Sequence, residues 1–465
     1  MEFATSNERA SEGLDLHDDA LLELNEAYPD RYPVLLESIG GGPAIGRHDL
    51  LLALPGEQLC LSGDLRLEGE RRSDDARFLP ALDAWWRDER AAGAAAKMPF
   101  AGGWFLYLGY ELAGQVEPTL RLPRSMRPAA LAWRMRGALV RDRQQGHAWV
   151  VAEPDRAAGL EEAVGRDLAR LRSAHAPAPT RGSAAGPAVR DEVHEEEPAR
   201  FLRVVEAALE AIGRGDVYQA NLSRRWRAQL APGIDEGDLY RRLRAANPAP
   251  FAGIARLPGF SVLSSSPERL ISIENGIAST RPIAGTRPRG RDARADAELR
   301  ADLRLNEKER AEHVMLVDLE RNDLGRICRA GSVTVDEFMT IESYAHVHHI
   351  VSNVRGELAD GITPGRAIAA VFPGGTITGC PKVRCMQLLA DLETEPRDAY
   401  TGSMGYLSID GTLDLNILIR TITVDDGAIE FRTGAGIVAD SSPAAELEET
   451  RAKALGLLRA LGSNA

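Results

Sequence analysis

The chain has 465 residues, of which 44% are hydrophobic and 27% are charged, an ordinary composition for a globular protein large enough for two domains. Its net charge is −13 and arginine is far commoner than lysine, which argues against nucleic-acid binding because such proteins carry a basic face. No apolar run is long enough to span a bilayer, and the first residues contain no segment like that of a signal peptide. We therefore expect a cytoplasmic protein with no membrane contact.

The first part of the chain is predicted to be rich in strands. Residues 1–16 show no structural pattern and are expected to be disordered, whereas residues 17–174 alternate short apolar runs with turns. Helices are expected at residues 76–90 and 159–173. The Pro-, Ala- and Gly-rich residues 175–197 then predict a flexible linker between an N-terminal and a C-terminal domain.

The C-terminal domain, residues 198–462, is predicted to combine helices with antiparallel strands. Its first helix, residues 198–214, has one apolar face, and runs such as FAGIARL and FSVLSSSP predict strands. Two Asp-Gly pairs suit hairpin turns, while no βαβ alternation, GxGxxG motif or P-loop is present. The sequence thus predicts an α+β fold in which two large, mostly antiparallel β-sheets pack as a sandwich with helices outside.

Three glutamates are candidate ligands for a metal ion. Glu446 and Glu449 are three residues apart in a predicted closing helix, so both carboxylates lie on one helix face. Glu312 lies in another helical segment, NEKERAEHVMLVDLERND. Carboxylates without histidine or cysteine suit a hard cation such as Mg²⁺, whereas the alternative is that all three are solvated surface residues.

Two loops and two single residues are further candidates. The segments STRPIAGTRPRGRD, where Gly285 permits close backbone approach to a ligand, and FPGGTITGCPK are both rich in turn-forming and polar residues. Arg420 lies inside the predicted strand LDLNILIRTITV, where an arginine is either an edge residue or a carboxylate clamp. His349 is either a buried core histidine or a functional one.

Eight motifs occur in the order in which one enzyme family carries them. They are SPERL, TRPIAGTRPRG, AEHVMLVDLERNDLGR, VHHIVS, FPGGTITGCPKVR, GSMGYLSIDG, GAGIVADS and EETRAKA. With them the chain resembles the chorismate-utilising enzymes, which include the anthranilate, aminodeoxychorismate, isochorismate and salicylate synthases. The resemblance extends over essentially all of residues 198–461 and is weaker before them, where LLES is the main match.

The resemblance implies a chorismate site that contains Mg²⁺. Glu312 and Glu449 resemble the direct metal ligands, and Glu446 would act beside them. Their carboxylates are the oxygen ligands that Mg²⁺ prefers. The positions that resemble substrate-binding residues are Gly285, Thr286, Tyr400, Arg420, Gly434, Ala435, Gly436 and Lys453.

The same resemblance implies the catalytic residues. Glu268 resembles the general acid that assists loss of the ring hydroxyl, which requires a raised pKa. His349 resembles the family histidine near the departing group, and Thr376 a hydroxyl that lines the site. Members that use water carry a lysine where this chain has Gln219, and an amide is no base at neutral pH. We therefore expect ammonia as the nucleophile, supplied by a separate glutamine amidotransferase subunit in a heterodimer.

Within the family, most distinguishing residues resemble aminodeoxychorismate synthase component I, an amine-transferring enzyme of p-aminobenzoate and folate synthesis. Asn221, the PGGTITG and TGSMGY runs and LDLNI carry this likeness. Ala284 instead resembles anthranilate synthase component I, the alternative, because many aminodeoxychorismate synthases have a nucleophilic lysine there. Ser38 resembles a tryptophan-contacting position of the anthranilate synthases, so bound tryptophan or a purely structural pocket is expected at that serine.

Overall fold

The computed structural model describes residues 14–40, 46–71, 73–90, 98–174, 186–344 and 347–463. Its strands are β1 Leu14–Asp15, β2 Val34–Glu37, β3 His48–Leu61, β4 Leu67–Gly69, β5 Gly103–Leu108, β6 Ala130–Asp142, β7 His147–Ala152, β8 His194–Glu195, β9 Gln219–Gln229, β10 Phe251–Leu257, β11 Phe260–Ser266, β12 Arg269–Glu274, β13 Ile277–Arg281, β14 Ile283–Pro288, β15 Thr334–Ser343, β16 Val347–Glu357, β17 Gly379–Cys380, β18 Ser403–Ser408, β19 Leu413–Asn416, β20 Thr421–Asp425 and β21 Ala428–Ile437. Its helices are α1 Ala20–Ala27, α2 Phe78–Glu89, α3 Ala113–Val116, α4 Ala157–Ala174, α5 Pro198–Gly213, α6 Glu236–Ala246, α7 Ala293–Leu305, α8 Glu307–Gly325, α9 Pro364–Val371, α10 Lys382–Leu392 and α11 Pro443–Leu461.

Antiparallel pairing joins these strands into two layers that share one edge. One layer follows the order β15–β16–β13–β12–β19–β18–β5, and the other follows β2–β10–β11–β20–β21–β9. The long strands β3 and β6 pair with each other and with members of both layers. Their register shifts between Pro55 and Gln58, beside Leu54 at φ 57°, so a bulge bends the pair from one layer into the other.

Alternating side chains of the strands contribute to several clusters of the core. Leu50 and Leu52 of β3 point into the cluster between the layers, whereas Leu51 and Ala53 point outward to a cluster covered by α1, α4, α6 and α11. The outer face of the other layer packs under α2, α8 and α9. The predicted α+β sandwich with helices outside is therefore confirmed.

Strands from the predicted N-terminal and C-terminal domains are hydrogen-bonded to each other, β2 to β10 and β5 to β18. Of the predicted linker, residues 175–185 lie outside the described residues, and β8 within its remainder pairs with β9. Of the residues expected to be disordered, Leu14–Asp15 pairs with β7 and residues 1–13 are not described. The division of the chain into two domains stays a prediction.

Two neighbouring segments cross between the layers and carry candidate site residues. β11 and β20 pair in one layer, β12 and β19 pair in the other, and the connections between them contain Glu268 and Arg420. The prediction that Arg420 lies inside a strand is wrong. β19 ends at Asn416 and β20 begins at Thr421, and Arg420 has φ 51° because the chain must turn where it changes layers.

Within the described ranges, no helix combines the length and the apolar character that crossing a membrane requires.

A buried aspartate on α2 binds the start of α9. Thr363 Oγ1 donates to Asp83 Oδ2 at 2.5 Å, and the Gly365 amide donates to Asp83 Oδ1 at 2.7 Å. Replacing Asp83 by alanine leaves both donors without a partner, so we expect Asp83→Ala to lower the free energy of unfolding by about 1–3 kcal/mol. Urea denaturation measures this change. The control Asp88→Ala, on the exposed side of the same helix, should cost at most about 0.5 kcal/mol.

Candidate active site

The crossing between the layers places Glu268 in a buried position beside two cations. Its side chain is almost inaccessible, and its carbonyl oxygen accepts the Ile417 amide at 3.0 Å. Burial raises the pKa of Glu268 to about 7, while the positive charges of Arg420 and Lys453 limit the rise. Its Oε1 makes no hydrogen bond to any described residue. The carboxyl is therefore partly protonated near neutral pH and can donate a proton to a bound molecule.

Thr376 lies next to this carboxyl. Its hydroxyl is close enough to lower the pKa of Glu268, although the two side chains do not meet the geometry of a direct hydrogen bond. The Thr376 Oγ1 atom is itself buried without a hydrogen-bond partner among the described residues. Both groups are thus available to the same bound molecule.

Arg420 is a half-buried cation without an ion-pair partner among the described residues. Burial lowers the pKa of its guanidinium, and the neighbouring Glu268 opposes that effect. Its carbonyl oxygen accepts the Ser265 amide at 3.2 Å, which holds the backbone in the layer crossing. Buried charges in proteins are ordinarily paired, and a guanidinium fork suits a carboxylate. Of the two readings left open by the sequence, the structure favours the clamp.

His349 is neutral and offers one ring nitrogen to the site. Its Nδ1 lies 3.2 Å from the Gly285 carbonyl and 3.0 Å from Thr286 Oγ1. Since a carbonyl only accepts, Nδ1 carries the proton and Nε2 is an acceptor, buried without a partner in the described structure. Burial, aided by the charge of Arg420, lowers the pKa of His349 to about 3.

Gly285 occupies a bulge of β14 at φ 62°, where an L-residue would be strained. A Cβ there would lie 2.8 Å from Leu303 Cδ1 and 2.9 Å from Glu309 Oε2, so the observed close approach is to α7 and α8. Two arginines of this segment are neutralised, since Arg287 pairs with Asp302 at 2.7 Å and Arg289 pairs with Asp296. Through Pro288 the segment forms strands, rather than a free basic loop.

The glycine-rich end of β21 supplies backbone groups to the site. β9 pairs with β21 as far as Ile437, but β20 pairs with it only up to Phe431. One edge of Gly434, Ala435 and Gly436 therefore has no strand partner among the described residues, which leaves alternate amides free for an anion. Lys453 of α11 donates to the Gly434 carbonyl at 3.0 Å and so attaches this helix to the strand.

Tyr400 and two amides of β9 pack against these glycines. A Cβ on Gly434 would overlap the Tyr400 hydroxyl, and a Cβ on Gly436 would lie 2.6 Å from Gln219 Nε2. Asn221 Nδ2 donates to the Thr376 carbonyl at 3.5 Å, which directs its Oδ1 the other way. Asn221 Oδ1 and Gln219 Oε1 are both buried acceptors without a described partner. Sequence reasoning placed Gln219 where water-using relatives carry a lysine, but it gave neither amide a binding role, although their i, i+2 spacing in a strand places them on one face.

Glu320 was also missed by sequence reasoning. It is buried on α8, and burial raises its pKa to about 8, with the charges of Asp323 and Glu268 adding to the rise. The signal in the sequence was a glutamate on the buried side of an otherwise polar helix.

The three acids expected to bind metal influence one another. Burial raises the pKa of Glu312, and the negative charges of Glu449 and Glu446 add to the rise. Lys308 Nζ lies 3.8 Å from Glu312 Oε1, and Lys453 Nζ lies 2.7 Å from Glu449 Oε1. As placed, no three acidic, histidine or cysteine side chains of the described residues converge on one point. Their oxygens and the partnerless, buried Glu446 Oε2 nevertheless fit a hard cation.

Ser38 lies on a separate cavity of about 550 Å³, within the range of small-molecule pockets. Its amide donates to Asp49 Oδ1 at 2.9 Å, and apolar residues such as Phe251 and Met404 line the same cavity. Tryptophan in this cavity stays a prediction.

Comparison with known proteins extends the likeness seen in the motifs. The sequence profile for chorismate binding enzyme matches residues 62–459. The chain is 38% identical over 443 residues to aminodeoxychorismate synthase component 1 of Bacillus subtilis, with 93% of this chain and 92% of that protein covered. It is 37% identical to anthranilate synthase component 1 of Cereibacter sphaeroides, with 97% and 93% covered. The structure of anthranilate synthase component I from Streptococcus pneumoniae matches with a TM-score of 0.78 at 32% identity, covering 90% of this chain and 93% of that one.

The raised pKa of Glu268 has a measurable effect on stability. A carboxyl that titrates near 7 when folded and near 4.3 when unfolded stabilises the protein at low pH, and this contribution is lost as the pH rises through 7. Glutamine does not ionise, so Glu268→Gln should unfold with a free energy about 3–4 kcal/mol above that of the unmodified protein at pH 8. At pH 4 the two proteins should be nearly equal. Urea denaturation at both pH values tests this, with the exposed Glu298→Gln as a control that should change neither value.

Proposed function

The chain belongs to the chorismate binding enzyme family, and we propose that it is component I of an aminodeoxychorismate synthase. It would convert chorismate and ammonia to 4-amino-4-deoxychorismate, a precursor of p-aminobenzoate and folate. The observation that carries amination is the pair of buried acceptors, Gln219 Oε1 and Asn221 Oδ1, where activation of water would require a base.

Binding of the substrate follows from the free positive groups. Chorismate carries two carboxylates. The Arg420 fork and the backbone edge at Gly434–Gly436, neither of which is paired by a described residue, are complementary to them. Tyr400 closes one side of these glycines. In a chain with a net charge of −13, this local positive region is what attracts an anionic ring.

Ammonia suits the amide pair because it has three N–H donors and one lone pair. Gln219 Oε1 and Asn221 Oδ1 would each accept an N–H, so that the lone pair is directed away from them. Neither amide can remove a proton from the nucleophile. No proton needs to be removed before attack, since neutral ammonia is already nucleophilic. We propose that a separate glutamine amidotransferase subunit supplies it.

Glu268 would move the proton that the exchange of groups requires. As the nitrogen forms its bond to the ring carbon, the Glu268 carboxyl gives a proton to the departing hydroxyl, which leaves as water. The new ammonium then returns a proton to the Glu268 carboxylate. In the net exchange, ammonia becomes the ring amine and the ring hydroxyl leaves as water. His349 Nε2 and Thr376 Oγ1, both without described partners, would orient the departing hydroxyl.

Glu312, Glu446 and Glu449 would hold Mg²⁺. Bound there, the ion would supply a Lewis acid for a ring carboxylate. In its absence Lys308 and Lys453 offset part of the negative charge of these acids.

Ala284 favours a second candidate, the anthranilate synthase large subunit. The alanine lies on β14 opposite Ile350 and offers no nucleophile, so any covalent lysine route is closed at this position. Ammonia would then have to add to the ring directly, as in the anthranilate route.

The two candidates differ in product. Purified protein incubated with chorismate, Mg²⁺ and an ammonium salt should form 4-amino-4-deoxychorismate, which an added lyase converts to p-aminobenzoate. Mass spectrometry and fluorescence identify both compounds. Fluorescent anthranilate formed without the lyase would instead establish the second candidate, and inhibition by low tryptophan concentrations would support it.

The proposed metal ligands can be separated from surface acids. Glu312→Gln and Glu449→Gln should each weaken Mg²⁺ binding in calorimetry and lower kcat by at least about 100-fold, because a direct ligand is lost. Circular dichroism should show both variants folded. The control Glu448→Gln changes an exposed neighbour and should bind Mg²⁺ normally. Normal binding by either of the first two variants would exclude that residue from the metal site.

A further inference from the structure

Tyr400 lies in a turn whose backbone is strained on both sides. Asp398 has φ 51° and Thr401 has φ 61°, although neither is glycine. Such conformations persist only where surrounding contacts hold them, and they are common at ligand sites. The contacts that hold this turn therefore determine where the Tyr400 ring lies relative to Gly434.

The buried guanidinium of Arg397 makes several of the contacts around this turn. Its Nε and Nη2 donate to the two oxygens of Glu393 at 2.6 and 2.9 Å, in the fork geometry of a bidentate pair. Glu393 in turn accepts the Ser223 amide at 2.8 Å, so the pair is anchored to β9. The Arg397 side chain is only 2% exposed, which makes its conformation strongly dependent on these bonds.

The same guanidinium reaches three segments of the proposed site. Nη2 donates to the Asn221 carbonyl at 2.7 Å, and Nη1 lies 3.5 Å from the Ile377 carbonyl, next to Thr376. Its carbon lies 5.7 Å from the centre of the Tyr400 ring. One side chain thus contacts the strand with the ammonia-accepting amides, the loop with the hydroxyl and the tyrosine turn.

A second acid holds the Arg397 backbone. Glu111 accepts the Arg397 amide at 2.8 Å and the Asp398 amide at 3.1 Å, while the Tyr110 ring lies 4.9 Å below the guanidinium. Both the backbone and the side chain of Arg397 are therefore held from outside the turn. The fixed position of Arg397 therefore determines where Tyr400 and Asn221 lie.

We infer that Arg397 is a positioning residue for the substrate-binding groups, acting through Tyr400, Asn221 and the Thr376 loop, without touching the substrate. The inference rests on the proposed use of chorismate but does not depend on which amine is produced. Arg397→Lys keeps the charge but loses the fork and the flat stacking surface. It should lower kcat/KM for chorismate by about 100-fold, the effect of a displacement of about 1 Å in a binding site.

The test requires a control arginine that is equally buried and paired but lies away from the proposed site. Arg134 is also 2% exposed, pairs with Glu89 at 2.6 Å and Glu153, and lies 4.8 Å from the Trp104 ring, but contacts no candidate site residue. Arg134→Lys should lower Tm by an amount similar to Arg397→Lys and leave kcat/KM unchanged. The double variant Glu393→Leu/Arg397→Met removes the buried pair together, which should restore Tm without restoring kcat/KM.

Chorismate binding by calorimetry and steady-state kinetics decide between the outcomes. Weaker chorismate binding and low kcat/KM in folded Arg397→Lys, with a normal Arg134→Lys enzyme, would support the inference. Unchanged kcat/KM in folded Arg397→Lys or in the double variant would overturn it. If neither Arg397 variant folds while Arg134→Lys does, Arg397 serves stability and the inference also fails. Absence of chorismate binding by the unmodified protein would remove the proposed function, a result distinct from all of these.

Discussion

The arrangement of the site depends on one constraint, the side-by-side crossing of two chain segments between the sheet layers. Strands that change layers leave the hydrogen-bonded ladder, and here they bring the buried Glu268 carboxyl near the half-buried Arg420 guanidinium. Burial keeps that carboxyl partly protonated near neutral pH, while the guanidinium has no protein anion to satisfy it among the described residues. An acid and an anion receptor are thereby formed by the same bend of the sheet.

Lysine and arginine occupy different kinds of position in this chain. Only four of the 56 lysine and arginine residues are lysines, and Lys308, Lys382 and Lys453 each pair with an acid on α8 or α11. A compact ammonium group on a flexible stem suits pairing with single carboxylates on a helix. Arginine occupies the positions where a rigid fork holds a fixed structure, as at Arg397.

Much of the site was visible in the sequence as residue types in ordered motifs. The helix with Glu446 and Glu449 and the glycine-rich end of β21 occur where the sequence predicts them. The pattern failed where the chain departs from regular structure. An apolar run of twelve residues predicts one strand through Arg420, yet the chain bends there. The prediction failed because a period-2 pattern contains no information about a change of layer.

The sequence by itself determined the family and the α+β class, and it named candidate residues such as Glu268 and Arg420, because these follow from local pattern and residue chemistry. Only the tertiary structure decided their protonation and availability. Groups distant in the chain decide whether Glu268 holds a proton and whether Arg420 is paired. They also decide whether Arg397 supports the Tyr400 turn. Burial and pairing are properties of the folded chain as a whole, and no local run of residues specifies them.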